Sequence, residues 1–171
     1  MKTVFSESAI SAAMVSLAQN VKQGLGPHFT MVPILTGGFI FAADLIRELY
    51  KVGCDPEVDF IQLSSYGTGR ESSGDVKMLK DVTIPVEGQS VLLVDDVLDS
   101  GRSLWHARAL LLGQGAKSVS ICVAVDKQTT RTNDVQADYV LLKTDGDAFL
   151  VGYGMDDAGL RRGLPFIGEV E

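Results

Sequence analysis

The sequence has no long hydrophobic run, and this absence limits where the chain is expected to act. No segment approaches the roughly 20 consecutive apolar residues that a membrane-spanning helix requires. Residues 1–20 also lack the basic start, apolar centre and small-residue cleavage site of a secretory signal. The sequence therefore predicts a protein without membrane contact, for which the cytoplasm is the simplest location.

Basic residues and cysteines are also scarce. Acidic residues outnumber basic residues by 22 to 15, which gives a net charge of −7 at pH 7. Because nucleic-acid binding depends on clustered Lys and Arg, this balance argues against a nucleic-acid partner, although a local pocket can still bind a small phosphorylated ligand. The two cysteines, Cys54 and Cys122, do not have the spacing of a metal site, and Cys122 lies in an apolar run typical of a buried thiol.

The chain does contain enough apolar sequence for one core. With 46% hydrophobic residues, residues 1–171 are predicted to form a single domain. Strand and helix patterns alternate from residue 30 to residue 142, which predicts an α/β fold with one doubly wound, mostly parallel sheet flanked by helices. Residues 64–80 are expected to form a loop, and residues 156–171 to be irregular. The expected helices cover residues 3–23, with Ser6 or Ser8 as a possible N-cap, residues 39–50 and the segment after Ser100. The expected strands cover residues 31–35, 58–63, 82–86, 91–94, 118–125 and 137–142.

Residues 91–103 carry the strongest functional signal. Four consecutive apolar residues at 91–94 predict a strand that is buried on both faces of a parallel sheet. Asp95, Asp96 and Asp99 follow, and a small polar loop then opens a helix. Ligands bind at this edge of an open α/β sheet, and a Ser-Gly turn at a helix N-terminus offers backbone N–H groups that suit a phosphate. The carboxylates can bind hydroxyls, a divalent cation or a proton.

Common nucleotide-binding patterns do not account for this segment. The first strand is not followed by Gly-x-Gly-x-x-Gly, which a dinucleotide-binding fold requires. The chain also lacks Gly-x-x-x-x-Gly-Lys-Ser/Thr, so it has no P-loop. The order of its acidic residues does not match that of a response-regulator receiver domain.

Residues 91–103 instead resemble the ribose-phosphate loop of type I phosphoribosyltransferases. The resemblance rests on the apolar strand, the acidic pair and the loop that follows, Asp99-Ser100-Gly101-Arg102-Ser103. It implies that this loop binds the 5′-phosphate of 5-phosphoribosyl-1-pyrophosphate through backbone N–H groups and two hydroxyls. It also implies that Asp95 and Asp96 accept hydrogen bonds from the 2′- and 3′-hydroxyls of the ribose.

The resemblance covers approximately residues 30–168 and narrows to the hypoxanthine-guanine branch of that family. Leu35-Thr36-Gly37 falls at the pyrophosphate-binding turn, where the resemblance implies a cis peptide between Leu35 and Thr36. Thr36 departs from the family pattern, because a basic residue is usual there. Arg162 falls on an arginine that contacts the pyrophosphate, and Ser64-Ser65-Tyr66-Gly67 resembles the start of the catalytic lid.

The remaining matches concern the purine and the metal. Asp126-Lys127 matches the purine-reading lysine, and residues 147–156 resemble the base-stacking and metal-binding segment. The resemblance implies that Phe149, the main-chain carbonyl of Leu150 and Asp156 lie at the purine. It further implies that Mg²⁺ binds with Asp156, Asp95 and Asp96, that a small hood of N- and C-terminal segments covers the base, and that the protein is a homodimer or homotetramer.

The residue types suit the chemistry of such a transfer. Negative charge develops on the departing pyrophosphate, where Arg162 and the Gly37 turn would stabilise it. Asp99 would act as the general base for the purine N7 proton. Lys127 has only donors, so it suits a 6-oxo group and opposes the amino group of adenine. The lid would exclude water from the activated ribose.

Taken singly, most of these residues have an ordinary structural explanation. A lysine after a strand is usually a surface charge, an isolated phenylalanine is usually part of a core, and the Asp156-Asp157 and Arg161-Arg162 pairs are typical of solvated turns. The order of all these segments along the chain is what favours the family.

The acidic pair also departs from the family pattern, because Asp95 is one methylene shorter than the glutamate common in this branch.

The sequence therefore predicts a purine phosphoribosyltransferase that transfers 5-phosphoribose to N9 of hypoxanthine, with guanine as a further acceptor. Two alternatives remain open at this point. One is a relative that prefers xanthine or guanine, and the other is a non-catalytic regulator that has the same fold and binds nucleic acid. The net negative charge and the complete set of candidate site residues count against the regulator.

Overall fold

The computed structural model describes residues 1–65, 76–128, 131 and 134–170, and within them two sheets and three helices. In chain order, the elements are β1 (Lys2–Phe5), α1 (Glu7–Leu25), β2 (Thr30–Leu35), α2 (Phe39–Lys51), β3 (Glu57–Val58), β4 (Ile61–Ser65), β5 (Val76–Lys80), β6 (Ser90–Leu98), α3 (Arg102–Gly113), β7 (Ser118–Lys127), β8 (Tyr139–Thr144), β9 (Phe149–Val151) and β10 (Ile167–Val170). None of the helices in the described ranges combines the length and apolarity that crossing a bilayer requires.

The main sheet has seven strands in the order β5-β4-β2-β6-β7-β8, with β3 also paired to β2. All of its pairs are parallel except β4–β5, which confirms the expected doubly wound, mostly parallel sheet. The central strand β6 is covered on both faces. Leu92 and Val94 pack with α1 and α2, whereas Val91 and Leu93 pack with α3. This double burial explains why the strand is a continuous apolar run.

A second sheet joins the two ends of the chain. Strands β1, β10 and β9 form an antiparallel sheet in which Lys2 pairs with Glu169. Residues 3–5 of the expected helical segment therefore lie in β1 instead, and the irregular structure expected over residues 156–171 is wrong for Ile167–Val170, which form β10. The helix begins only after Ser6, whose hydroxyl caps it by accepting a hydrogen bond from the N–H of Ala9 at 3.2 Å. Pairing between strands so distant in sequence leaves no local periodicity to read.

Asp59 accounts for further differences between expectation and structure. Its buried carboxylate accepts hydrogen bonds from the backbone N–H groups of Phe60, Thr83 and Ile84 and pairs with Lys80 at 3.1 Å. These bonds divide the strand expected over residues 58–63 into β3 and β4. They also engage the segment 82–86, which is not a strand, and the end of the loop expected over residues 64–80 is the strand β5.

The same contacts control the ionisation of Asp59. Burial alone would raise the pKa of this carboxyl, but the three backbone N–H groups and the Lys80 ammonium outweigh burial and lower the pKa below its ordinary value. The carboxylate therefore stays charged and connects the two ends of the β4–β5 hairpin to each other.

Strands β6 and β7 extend further than the sequence indicates. Asp95 and Asp96 lie within β6, which ends only at Leu98, and β7 continues through Lys127. Leu98 and Asp126 are partners in the parallel pairing of these two strands. The carboxyl ends of β6 and β7 therefore lie side by side, and this arrangement brings Asp99 and Lys127 together.

Candidate functional site

A cleft of about 570 Å³ opens at the carboxyl ends of β2 and β6. Its location agrees with the general preference of ligands for this edge of an open α/β sheet. Most of the residues selected from the sequence line this one cleft, namely Leu35, Gly37, Ser64, Asp95, Asp96, Asp99, Ser100, Gly101, Arg102, Ser103, Asp156 and Arg162.

The loop of residues 99–103 leads into the N-terminus of α3. Gly101 adopts φ 78°, a left-handed conformation that glycine allows, and a Cβ on it would lie 3.3 Å from the Cβ of Val135. The first N–H groups of a helix have no partner within the helix, and the first turn of α3 contains no acidic residue. This end of α3 therefore has the geometry and the polarity that suit a phosphate.

Asp95, which is buried, and Asp96, which is half-buried, form an acidic pair at the floor of the cleft. Oδ1 of Asp95 accepts a hydrogen bond from the N–H of Asp96 at 2.9 Å, and Oδ1 of Asp96 accepts one from the N–H of Val97 at 2.7 Å. Burial and the neighbouring charge raise the pKa of Asp95 well above its ordinary value. Burial also raises the pKa of Asp96, against the opposing effects of the Val97 N–H and the Arg162 charge. Such a pair favours ligands that contain hydrogen-bond donors or carry positive charge.

The turn after β2 approaches Asp96 closely. The Leu35–Thr36 peptide is cis, which confirms the geometry that the resemblance implied. A Cβ placed on Gly37 would lie only 2.0 Å from Oδ2 of Asp96, so only glycine fits at this position without a shift of the carboxylate. The backbone of the turn and the acidic pair are thus in direct contact.

Arg162 and Asp156 reach the same turn from the C-terminal part of the chain. Their side chains form an ion pair with an N–O distance of 2.7 Å, and Arg162 also donates a hydrogen bond to the carbonyl of Gly154 at 2.6 Å. A Cβ on Gly154 would lie 2.2 Å from the carbonyl oxygen of Gly37. This close packing places a cation next to the turn in which Thr36 replaces the usual basic residue.

Lys127 is not itself a lining residue of the cleft, but it contacts Asp99, which is one. The Lys127 ammonium lies 3.0 Å from the Asp99 carboxylate; the lysine side chain is 9% exposed and the aspartate side chain is 53% exposed. Behind them, Asp126 forms an ion pair with Arg131, which also donates to the carbonyl of Val135 at 2.9 Å. The ammonium is thus held in the protein interior and paired with the carboxylate that the sequence analysis selected as the general base.

Phe149 and Leu150 are not among the lining residues of the cleft. They lie in β9 of the antiparallel sheet, where Leu150 is buried and pairs with Glu169, and Phe149 is 40% exposed. Thr36 belongs to the cis turn but is likewise not a lining residue. Their assignments to the purine and to the pyrophosphate remain predictions.

For the lid segment, the structure gives only its first part. Ser64 lines the cleft and Ser65 ends β4, whereas the predicted lid residues Tyr66 and Gly67 lie outside the described residues. Four apolar lining residues that flank the predicted site positions were not predicted from the sequence, Ile34, Leu63, Val97 and Leu104. Ile34, Leu63 and Val97 lie at or near the ends of strands and Leu104 lies in the first turn of α3, and these positions were the available signal.

The carboxylates provide some of the ligands that Mg²⁺ needs, but not a complete site. Within the part of the chain that the structure describes, no three His, Cys, Asp or Glu side chains are grouped so that they can hold a metal ion. Mg²⁺ commonly binds through one or two carboxylates together with water and substrate phosphate oxygens. The carboxylates of Asp95, Asp96 and Asp156 in one cleft fit this mode of binding.

The chain is similar to known enzymes of one family. The family model described as phosphoribosyl transferase domain matches residues 4–158. The chain is 38% identical to the hypoxanthine phosphoribosyltransferase of Salmonella typhimurium, with 99% of this chain and 95% of the relative covered. It is also 38% identical to the hypoxanthine-guanine phosphoribosyltransferase of Aquifex aeolicus, over 100% of this chain and 95% of the relative.

Solved structures give the same result. The crystal structure of a hypoxanthine phosphoribosyltransferase from Staphylococcus aureus superposes with a TM-score of 0.91 at 32% identity, covering 100% of this chain and 91% of that one. The hypoxanthine-guanine phosphoribosyltransferase structure from Bacillus anthracis has a TM-score of 0.89 at 35% identity, covering 100% and 98%. The chain therefore belongs to the phosphoribosyl transferase family, in its hypoxanthine and hypoxanthine-guanine branch.

Proposed function

We propose that this protein transfers 5-phosphoribose from 5-phosphoribosyl-1-pyrophosphate to N9 of hypoxanthine, giving the purine nucleotide and pyrophosphate, and that guanine is a second acceptor. The observation that carries the proposal is that one cleft combines the N-terminus of α3, the acidic pair and Arg162. These groups match the phosphate, the ribose hydroxyls and the pyrophosphate of one donor substrate. The names of the related enzymes support the same reaction.

The donor would bind along the floor of the cleft. Backbone N–H groups at the start of α3 and the hydroxyls of Ser100 and Ser103 would hold the 5′-phosphate. The 2′- and 3′-hydroxyls would donate to Asp95 and Asp96. Burial raises the pKa of both carboxyls, so added donors would stabilise their charged forms.

Departure of pyrophosphate from the anomeric carbon would be assisted on the opposite side. Arg162 and the backbone of residues 36–37 would stabilise the negative charge that develops on the leaving group. Mg²⁺ would be held by Asp156, with Asp95 and Asp96 nearby, and when bound it would neutralise part of that charge. The existing pair between Asp156 and Arg162 keeps both groups at this end of the cleft.

The purine would bind between the Lys127 ammonium and β9. Lys127 would donate to the 6-oxo group, Phe149 would stack on the ring, and the carbonyl of Leu150 would accept from the ring edge. Asp99 would take the N7 proton as N9 attacks the anomeric carbon. Because Lys127 has several donors, it can contact the purine oxygen while it keeps its contact with Asp99.

A panel of five bases tests this function in one assay. The protein is mixed with the activated ribose, Mg²⁺ and hypoxanthine, guanine, xanthine, adenine or uracil, and nucleotide formation is measured. We expect product with hypoxanthine and guanine and little with adenine. A preference for xanthine would support the alternative substrate class. No nucleotide with any base, together with salt-sensitive, sequence-specific DNA binding in a gel shift, would support the regulator instead.

We also propose that the protein is a homodimer or homotetramer in the cytoplasm. Helix α2 exposes 40% of Phe39 and 70% of Tyr50, and a second copy of the chain would cover this apolar surface. A related structure, from Trypanosoma cruzi, concerns the role of its C-terminal region in the oligomeric state. The buried free thiols of Cys54 and Cys122 suit a reducing compartment. A monomer mass in sedimentation equilibrium would contradict the oligomer, and cell fractionation tests the location.

A further inference from the structure

Tyr153 has an unusual position next to the cleft. It follows β9 in a turn between two glycines and adopts φ 51°, a left-handed conformation that is uncommon for a residue with a side chain. The residue is only 4% exposed. Its ring packs against Phe41 of α2 with a centroid distance of 6.5 Å, and its hydroxyl donates to Oδ2 of Asp44 at 2.8 Å.

The backbone on both sides of Tyr153 contacts the pyrophosphate end of the site. The N–H of Tyr153 donates to the carbonyl of Leu164 at 2.9 Å, and the N–H of Gly154 donates to the carbonyl of Arg162 at 3.0 Å. The carbonyl of Gly154 accepts from the Arg162 guanidinium, while its Cα packs against the carbonyl of Gly37. The turn of residues 152–155 therefore connects Arg162 to the cis turn.

We propose that Tyr153 and Asp44 are positioning residues for the pyrophosphate. Their hydrogen bond attaches the turn of residues 152–155 to α2, the helix that follows the cis turn, and so keeps Arg162 in place beside the leaving group. The proposal rests on the proposed function, because that function assigns pyrophosphate to Arg162.

The hydrogen bond is suited to this role. Burial, together with the hydrogen bond to Asp44 and the charge of Asp44, raises the pKa of Tyr153, so its hydroxyl remains a donor throughout the physiological range. Asp44 is only partly buried, with 42% of its side chain exposed, and it also pairs with Arg47 at 3.1 Å. Removing the tyrosine hydroxyl therefore leaves a solvated carboxylate with another partner and no buried unpaired charge.

Tyr153→Phe separates positioning from packing, because the ring keeps its contact with Phe41. We expect the dissociation constant for pyrophosphate, measured by calorimetry in the presence of Mg²⁺, to rise about tenfold, because a hydrogen bond to a charged group is lost. The KM for the activated ribose should rise by the same factor. Because Arg162 also stabilises the charge that develops on the leaving group, kcat should fall as well, whereas the KM for hypoxanthine should stay within about twofold of the wild type. The single variant Asp44→Asn keeps an acceptor for the Tyr153 hydroxyl, so it should keep most of the wild-type affinity for pyrophosphate.

Tyr139→Phe is the matched control, because it also removes one phenol hydroxyl, which lies beside Gly24 of α1. Its pyrophosphate affinity should equal that of the wild type. Asp44→Ala should weaken pyrophosphate binding as Tyr153→Phe does, and the double variant should be no weaker than either single variant, because both remove the same bond.

Three outcomes would overturn the positioning role. The first is a pyrophosphate affinity of Tyr153→Phe within about twofold of the wild type. The second is a lower kcat together with an unchanged pyrophosphate dissociation constant and a lower binding stoichiometry, which would indicate only a smaller folded fraction. The third is additive losses in the double variant. If the wild type binds pyrophosphate but forms no nucleotide, the proposed function fails, while pyrophosphate binding still decides the role of Tyr153.

Discussion

Replacing Gly37 by alanine tests the central geometry of the cleft. The added Cβ would lie 2.0 Å from Oδ2 and 2.6 Å from Cγ of Asp96, whereas ordinary van der Waals contact begins at 3.4 Å. The carboxylate therefore has to move by about 1.4 Å. The backbone of Asp96 cannot follow easily, because its neighbours Asp95 and Val97 are paired with β7. The side chain has to rotate, and this rotation breaks the 2.7 Å hydrogen bond from the N–H of Val97.

The displaced carboxylate no longer lies where a ribose hydroxyl would donate to it. A hydrogen bond to a charged group contributes about 1.5–3 kcal/mol, which corresponds to a decrease of roughly 10- to 100-fold in kcat/KM for the activated ribose. Initial rates of nucleotide formation measure this ratio, and circular dichroism at the assay temperature establishes that Gly37→Ala is folded.

Gly113→Ala is the matched control, because a Cβ on this last residue of α3 would meet no atom within 4 Å. Its kcat/KM should equal that of the wild type, and its thermal midpoint should be equal or higher, since alanine is favoured over glycine in a helix. A folded Gly37→Ala protein with a kcat/KM within about twofold of the wild type would refute the assignment of Asp96 to the ribose.

Three further substitutions test the general base Asp99, the purine contact of Lys127 and the role of Asp59 in the β4–β5 hairpin. Asp99→Asn should slow the chemical step by roughly 10²- to 10⁴-fold in single-turnover measurements, and a change below about threefold would remove it as the general base. Lys127→Ala should raise adenine use relative to hypoxanthine, whereas the exposed control Lys143→Ala should not; unchanged discrimination would argue against Lys127. Because the folded state lowers the pKa of Asp59, its carboxylate stabilises the fold above the unfolded pKa of about 4, and this stability is lost as pH falls through the lower folded value. Below pH 4, the free energy of unfolding measured with urea should therefore fall more steeply with decreasing pH for the wild type than for Asp59→Asn. Equal slopes for the two proteins would contradict the stabilising role of the Asp59 carboxylate.

The parallel core was predictable because its signals are local. A strand buried on both faces needs a continuous apolar run, and residues 91–94 provide it. The phosphate loop was equally accessible, since Asp99 through Ser103 form one short segment between a strand and a helix. The ends of the strands were less predictable. Asp95 and Asp96 read as residues after a strand, yet the pairing of β6 with β7 holds Asp95 in the ladder.

The candidate site was predictable only as a set of separate segments. The family resemblance assigned Arg162 and Gly37 to the pyrophosphate and Lys127 to the purine, but the spacing of these residues in the sequence does not show how far apart they lie in the fold. The contact of Gly37 with Asp96 requires β2 and β6 to be neighbours, and the pair between Lys127 and Asp99 requires β6 and β7 to end together. Tyr153 lacked a sequence signal, because its partner Asp44 is 109 residues away.

The sequence by itself determined the local features, which are the apolar strands, the helix starting after Ser6, the phosphate loop and the order of the site segments. These depend on the side chains within a few residues of one another. Only the tertiary structure decided how β1 pairs with β10, how Asp59 divides a strand, and where Arg162 lies relative to the cis turn. Such contacts join residues that are far apart in the chain, and they form only when the packing of the whole core offsets the loss of chain entropy.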